Sequence, residues 1–272
     1  MAGDLCYKFD EHGIIYREEL NNTRGYGDSC AETMRYFHLL FCRATLLGLT
    51  GPSYAPQGAP KFSDLHSIMY NFFVSPTQIV RAPVNLLPKE WGDPVKDIPG
   101  DQTNPMMLCL GIAGFEDIRE DFFEGLTWRY QNGDLITPHA FNIMRRSQNQ
   151  EPSNLLDYGL YGTVLTRCGY IPFWDSGTKK LRWGDPDDVA DDINLIHCFL
   201  QAEYRGTTKT GRKALVKYFR DRVTPTDAKY SFNKPLSAVL RYYRTSEWIG
   251  EMYIPVMEYL AGKAKKYEDE SA

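Results

Sequence analysis

The chain of 272 residues reads as an all-α protein, an incomplete (α/α) toroid of about five helical hairpins with a short N-terminal arm and long loops. Three observations predict this. About ten segments carry helical spacing of their apolar residues. The segments opening near Ser29 and Pro105 are apolar on nearly every side, as helices sheathed by neighbours are, whereas 115–130 and 209–223 are apolar on one side only. Short and long connections alternate, which suits inner helices wrapped by outer ones. An irregular helical bundle is the competing architecture, because 152–169 is greasier than an outer helix should be.

The boundaries follow in order. Residues 1–26 form an arm, with a short strand at Ile14, Ile15 and Tyr16 and a turn at 21–25. Residues 27–265 form the helical domain, and 266–272 a frayed tail. The first helix has Ser29 followed by Glu32 in the spacing of a capping box, with Asp28 as a second cap, and Gly48 as its stop. A second helix is expected over 62–74, started by Ser63 or Asp64. The proline-rich stretch 75–100 is a crossing loop with one helical turn near Gln78. Pro105 sits in the first turn of a third helix. A short helix follows Pro138, a longer one spans 152–169, and 170–187 is a loop or short hairpin. Helices over 188–204, 209–223, 234–244 and 251–265 close the chain.

Composition excludes some functions. A net charge of −4 with mixed signs gives no reason to expect nucleic acid as partner. Apolar runs stay well short of the ~20 residues a membrane span requires. The first ten residues lack a signal peptide's basic and then apolar segments, so synthesis in the cytoplasm is expected. The six cysteines show neither paired nor CxxC spacing and read as reduced, packed thiols; no metal and no cofactor are expected. His38 and His197 fall inside apolar helices and read as hydrogen-bonded core residues.

Acidic and amide residues recur where sheathed helices begin: Asp28, Asp101 with Gln102, and Asp191, Asp192 and Asn194. Parallel inner helices would gather these starts at one mouth, within reach of Arg145, Arg241, Arg244, Tyr242 and Tyr243. Facing carboxylates are the equipment of glycoside hydrolysis, so Asp101, Asp192 and Asp28 are the candidate catalytic residues. Helix capping accounts for the same aspartates without any function. Elimination on a uronate would instead need a base such as His139 or Tyr242 and a cation such as Arg145. Trp91, Trp174, Trp183 and Tyr170 lie in loops, where rings either stack on sugars or fold back to plug the ring. The candidate substrate-binding set is Gln102, Asn194, Arg145, Arg241, Tyr242, Trp174 and Trp183.

Gly27-Asp28-Ser29 before a long helix, Asp101-Gln102-Thr103 before an apolar one, Pro138 with Arg145, Asp191-Asp192-Ile193-Asn194-Leu195 and Leu240-Arg241-Tyr242-Tyr243-Arg244 occur in that order over about 25–260. The set resembles a family of helical-toroid proteins of bacteria and their phages, whose fold looks like that of six-hairpin glycosidases and polysaccharide lyases. Members of that family mostly lack an assigned reaction; for this chain the resemblance implies a phage-encoded, virion-associated protein that binds a glycan or polysaccharide, with cleavage by a glycoside hydrolase or polysaccharide lyase reaction as the further expectation. The alternative it leaves open is a non-enzymatic virion or assembly component that contacts other phage structural proteins. Fold alone supplies only an analogy for activity.

Overall fold

The computed structural model describes residues 6–18, 23–50, 56–75, 78–86, 105–106, 108–109, 173–175, 180–182, 189–207, 209–222, 236, 239–240, 242–243 and 246–271. These are mostly helical. The expected helices over 115–130, 138–146 and 152–169 lie outside the described residues. Among the described residues no helix is long and apolar enough to cross a membrane.

The arm is a small antiparallel sheet, β1 (Cys6–Phe9), β2 (Ile15–Glu18) and β3 (Arg24–Gly25), in the order β1-β2-β3. Its first turn is tied by Asp10. One carboxylate oxygen accepts the backbone N–H groups of His12 and Ile14, each at 2.9 Å, and the other accepts the Tyr26 hydroxyl at 3.0 Å. Gly13 stands in this turn at φ 76°, where a β-carbon would be strained and would lie 2.9 Å from Ile68 Cδ1.

Helix α1 (Ser29–Leu47) is the axis of the described core. Every residue from Ser29 to Leu40 is buried, so its first three turns are sheathed all round, and only its last turn opens to solvent. Gly48 ends it in the left-handed region at φ 67°, its N–H returning to the Ala44 carbonyl. The start differs from expectation. Asp28 is the N-cap but bonds no backbone amide with its side chain, and the box between Ser29 and Glu32 does not form. Glu32 turns inward to a buried arginine, and Asp28 turns outward to Arg81.

The segment expected as one helix over 62–74 is shorter and broken. A 3-10 turn (Phe62–Asp64), α2 (Leu65–Met69) and a second 3-10 turn (Tyr70–Phe72) run straight into β4 (Phe73–Ser75), which pairs with β5 (Gln78–Ile79). Asp64 is the N-cap residue of α2 but bonds no amide of that helix with its side chain; its carboxylate reaches back to accept the Lys61 N–H at 2.8 Å, at the start of the first 3-10 turn. The helical turn expected near Gln78 is thus a strand. Phe73, Val74 and Ile79 favour the pleat over the coil. Pro105, Met106, Leu108 and Cys109 are helical, and the three after the proline are buried against α1, where the Cys109 thiol donates to the Met34 carbonyl. A hairpin of β6 (Phe173–Asp175) and β7 (Lys180–Arg182) occupies part of 170–187.

Helices α3 (Val189–Arg205), α4 (Lys209–Arg222) and α5 (Glu247–Asp269) complete the architecture. Contacts between α1 and α3 keep a constant separation in sequence: Arg35 meets Asn194 and His38 meets His197, both 159 residues on. A constant separation is the signature of parallel helices in register. α5 follows the same sense. Tyr36 of α1 meets Trp248, and Arg43, farther along, meets Met252; His197 of α3 meets Tyr253, and Glu203 meets Lys263 and Tyr267. α1, α3 and α5 are therefore mutually parallel and start at one end. α4 doubles back along α3: its Tyr218 meets Phe199, six residues before the end of α3, while Arg212, near its own start, lies over the ring of Tyr267 and reaches Glu270, near the end of α5. α4 buries Ala214, Leu215, Tyr218 and Phe219 and exposes Arg212, Lys213 and Arg220, the one-sided pattern its sequence predicts. α5 runs to Asp269 instead of fraying after Lys265, because Tyr267 is buried and donates to Glu203 at 2.8 Å.

Pro255 sits inside α5, where it removes one backbone donor and disturbs the preceding turn. Arg43, buried at 2% exposure, donates to the Met252 carbonyl on that turn at 2.7 Å.

Candidate functional site

The three parallel helices share a buried line of polar side chains within an otherwise apolar core. α1 contributes Glu32, Arg35, His38 and Cys42, whose spacing of three or four keeps them near one face. α3 contributes Asn194, His197 and Gln201 on the same principle. Tyr253 of α5 and the preceding Tyr242 and Tyr243 close the third side.

The end nearest the helix starts is ionic. Arg35 donates through Nη1 to Glu32 at 2.7 Å and through Nε to Asn194 Oδ1 at 2.8 Å. The hydroxyls of Tyr243 and Tyr242 donate to the two Glu32 oxygens at 2.7 and 3.3 Å. Glu32 and Arg35 are each 2% exposed. Burial raises the Glu32 carboxyl above the usual range, and Arg35 and the tyrosines pull against it. Burial alone would lower the Arg35 guanidinium, but Glu32 and the neighbouring phenols more than reverse it. The arm covers this end. Tyr7 of β1 stacks on Tyr242 at 6.4 Å and meets Tyr243 edge-on at 5.8 Å, and the Ile15 N–H donates to Thr33 Oγ1 at 3.0 Å.

The middle of the line is a histidine pair. His38 Nδ1 and His197 Nδ1 are 2.8 Å apart; His38 Nε2 lies 2.9 Å from Gln201 Oε1, and His197 Nε2 lies 2.7 Å from the Tyr253 hydroxyl. These neighbours fix the protons. A carbonyl oxygen accepts only, so with the Gln201 amide oriented this way His38 carries its proton on Nε2. His38 Nδ1 then accepts from His197 Nδ1–H, and His197 Nε2 accepts from Tyr253 O–H. Burial lowers His38 from 6.5 to about 4, with the bond to Gln201 opposing, and burial lowers His197 further, helped by His38 and Arg35. Both rings are neutral at pH 7. Cys42 lies beside the His38 ring, 3.6 and 3.8 Å from its two nitrogens, and burial raises its thiol. A sulfur nearly equidistant from both ring nitrogens is placed for packing, not for sharing a metal with them. Among the described residues no group of three or more His, Cys, Asp or Glu is arranged to hold a metal ion.

The predicted site residues divide into several cases. Asp28 lies at the common end, with its carboxylate 3.3 Å from Arg81 Nη2, whose Nε donates to the Gly27 carbonyl at 3.2 Å. Asp28 also borders a cavity of about 10 Å³, room for one water-sized atom, lined by Tyr7, Ile15, Arg17, Gly25, Gly27 and Ser29. Asp192 falls in the first turn of α3, and the helix register sets it level with Thr33, roughly 7 Å along the axis from Asp28. Asn194 is fully buried and bonds Arg35, so it braces the core instead of facing a cleft. Tyr242 bonds Glu32. Trp174 falls in β6. Asp101, Gln102, Arg145, Trp183 and Arg241 lie outside the described residues.

Sequence reasoning placed His38 and His197 in the core, where they are. It missed Glu32 as more than a cap, and with it Arg35, Gln201 and Tyr253. The available signal was the recurrence of polar residues at 32, 35, 38 and 42 within a helix otherwise apolar all round. Compared with known proteins, the chain matches no family model, no curated protein and no solved structure.

Proposed function

We propose that the chain is a toroid-type helical protein, related in plan to the six-hairpin glycosidases and polysaccharide lyases and phage-encoded, that binds a glycan at the end where its inner helices start. The observation that supports this most is the parallel register of α1, α3 and α5, which brings Asp28 and the first turn of α3, with Asp192, to one end. Parallel inner helices returned by an antiparallel outer one, α4, are the repeating unit of such a ring. In this reading Asp101, Gln102, Arg145, Arg241, Trp174 and Trp183 complete the mouth. Binding is favoured over cleavage at the described acids. Asp28 is already paired with Arg81, and Glu32 is enclosed by Arg35, Tyr242 and Tyr243 beneath the arm.

The same engagement of the acids favours a second reading, a non-enzymatic virion or assembly component that uses the helical body to contact other structural proteins. A glycan array of capsule and lipopolysaccharide sugars separates the two. Saturable binding that Asp101→Asn and Asp192→Asn weaken at least tenfold, with melting temperatures held within a few degrees, supports the glycan reading. Absence of binding by the wild type, with the chain present at many copies in mass spectra of purified particles, supports the second.

A further inference from the structure

The cavity of about 10 Å³ beside Asp28 lies where the arm meets the start of α1. Its roof includes one cross-strand row of the sheet: Tyr7 of β1 stands opposite Arg17 of β2, and Arg17 opposite Gly25 of β3. Gly25 brings no side chain to the end of that row, so the row is one side chain short. The floor is the entry to α1, from Gly27 to Ser29. Ser29, the first residue of the helix, is 2% exposed, and its hydroxyl has no hydrogen-bond partner among the described residues. The helix start offers none, because the N–H groups of Ser29, Cys30 and Glu32 already go to the carbonyls of Tyr26, Arg81 and Asp28. Buried hydroxyls in native proteins are paired, with protein or with ordered water.

We infer that this cavity is a binding site for one water molecule, which joins the Ser29 hydroxyl to the Asp28 carboxylate and ties the arm to α1. Size and charge select the occupant. The volume takes a single water-sized molecule and nothing larger. An anion would face the Asp28 carboxylate. A cation would face the Arg17 guanidinium and the positive end of the α1 dipole, with Arg81 already 3.3 Å from Asp28. A neutral molecule that both donates and accepts meets neither penalty. Water donates to Asp28 and exchanges a bond with Ser29. Arg17 is a further polar neighbour, which brings the site close to the roughly three partners that a buried water takes.

Two features of this end are then accounted for. Asp28 is the N-cap of α1 without a side-chain bond to the helix, and the water links its carboxylate to the first helical residue instead. The arm is tied to the helical body by the Tyr7 N–H, which donates to Ser246 Oγ at 2.5 Å, and by the Ile15 N–H, which donates to Thr33 Oγ1. The water adds a tie at the row that ends in Gly25.

A high-resolution crystal structure of the full chain tests the site, with further crystals soaked in rubidium and in bromide. The expected map shows one peak in the cavity, within hydrogen-bond distance of Ser29 Oγ and of an Asp28 carboxylate oxygen, and no anomalous signal there in either soak. An empty cavity would overturn the inference. So would a rubidium or bromide peak in it, because the occupant would then be an ion. Ser29→Val removes the hydroxyl and puts a methyl group in its place, so the peak should be lost from the map of that variant while Asp28 stays on Arg81. A peak that persists unchanged in the valine variant would show that Ser29 does not hold the water, and the inference would fall. The wild-type maps decide the matter even if Ser29→Val does not fold.

Discussion

Replacing Arg35 by methionine probes the buried ion pair most sharply. The substitution removes two bonds, to Glu32 at 2.7 Å and to Asn194 Oδ1 at 2.8 Å, and leaves a carboxylate that is 2% exposed with only tyrosine hydroxyls for support. Stranding one partner of a buried pair costs about 3–5 kcal/mol. For a domain of this size that corresponds to a fall in Tm of roughly 10 °C. The paired change Glu32→Gln with Arg35→Met removes the stranded charge, and it should recover about 2–3 kcal/mol of the loss. Acid should help the single variant. Its Glu32 has lost its counter-charge, so its folded pKa rises further above the unfolded value. The stabilisation held while Glu32 is protonated is then lost as pH climbs through the folded value, and the deficit against wild type widens from pH 5 to pH 8. Urea denaturation at both pH values measures all of this, with a constant slope certifying that the transition stays two-state. A single variant within 1 kcal/mol of wild type, or a double variant no more stable than the single, would refute the reasoning.

Further outcomes follow from other parts of the structure. His38 has its pKa lowered from 6.5 to about 4, so the folded chain binds fewer protons than the unfolded one between those values; stability held above pH 6.5 falls by about 3 kcal/mol as pH drops through 4, and His38→Gln should flatten that part of the urea-measured profile. Arg43→Met removes the buried donor that ties α1 to the Met252 carbonyl of α5 and should cost about 2–3 kcal/mol, read as a drop in Tm. Gly13→Ala forces a β-carbon to within 2.9 Å of Ile68 at positive φ and should destabilise by about 1–2 kcal/mol in urea. Asp28→Asn acts on a partly exposed pair with Arg81 and should change Tm by no more than a few degrees.

The helical class, the sheathing of α1, the stop at Gly48 and the one-sided α4 were legible in the sequence because each follows from local periodicity or from one residue's backbone preference. The extent of α5 was misjudged by four residues at each end; its last turn is held by a contact between Tyr267 and Glu203 that no local pattern announces. The arm shows the same limit. Ile14 to Tyr16 signalled a strand, but the partners at Cys6–Phe9 and Arg24–Gly25 carry weak alternation and pair because Asp10 ties the turn. The helix start at Ser29 was misread in its chemistry: Ser and Glu at capping-box spacing predict a local exchange of bonds, and a buried arginine three residues on competes successfully for the carboxylate. The polar line was invisible for a related reason. Whether residues at 32, 35 and 38 meet water or one another depends on α3, and its register is set by chain lying more than 150 residues away. Asp28 and Asp192 were assigned to a common end, and the parallel helices bring their backbone positions there; Asn194, grouped with them, belongs to the core.

The parallel register of α1 and α3 underlies both the proposed mouth and the buried polar line, and photo-crosslinking tests it directly. Tyr204, near the end of α3, is 38% exposed and meets the ring of Phe41 edge-on at 4.8 Å. With a benzophenone amino acid at position 204, peptide mapping should find the crosslink around Phe41 and Phe62, toward the end of α1 and just beyond it. Crosslinks concentrated at Ser29 to Thr33 would mean that α3 runs against α1, and the shared end would be lost.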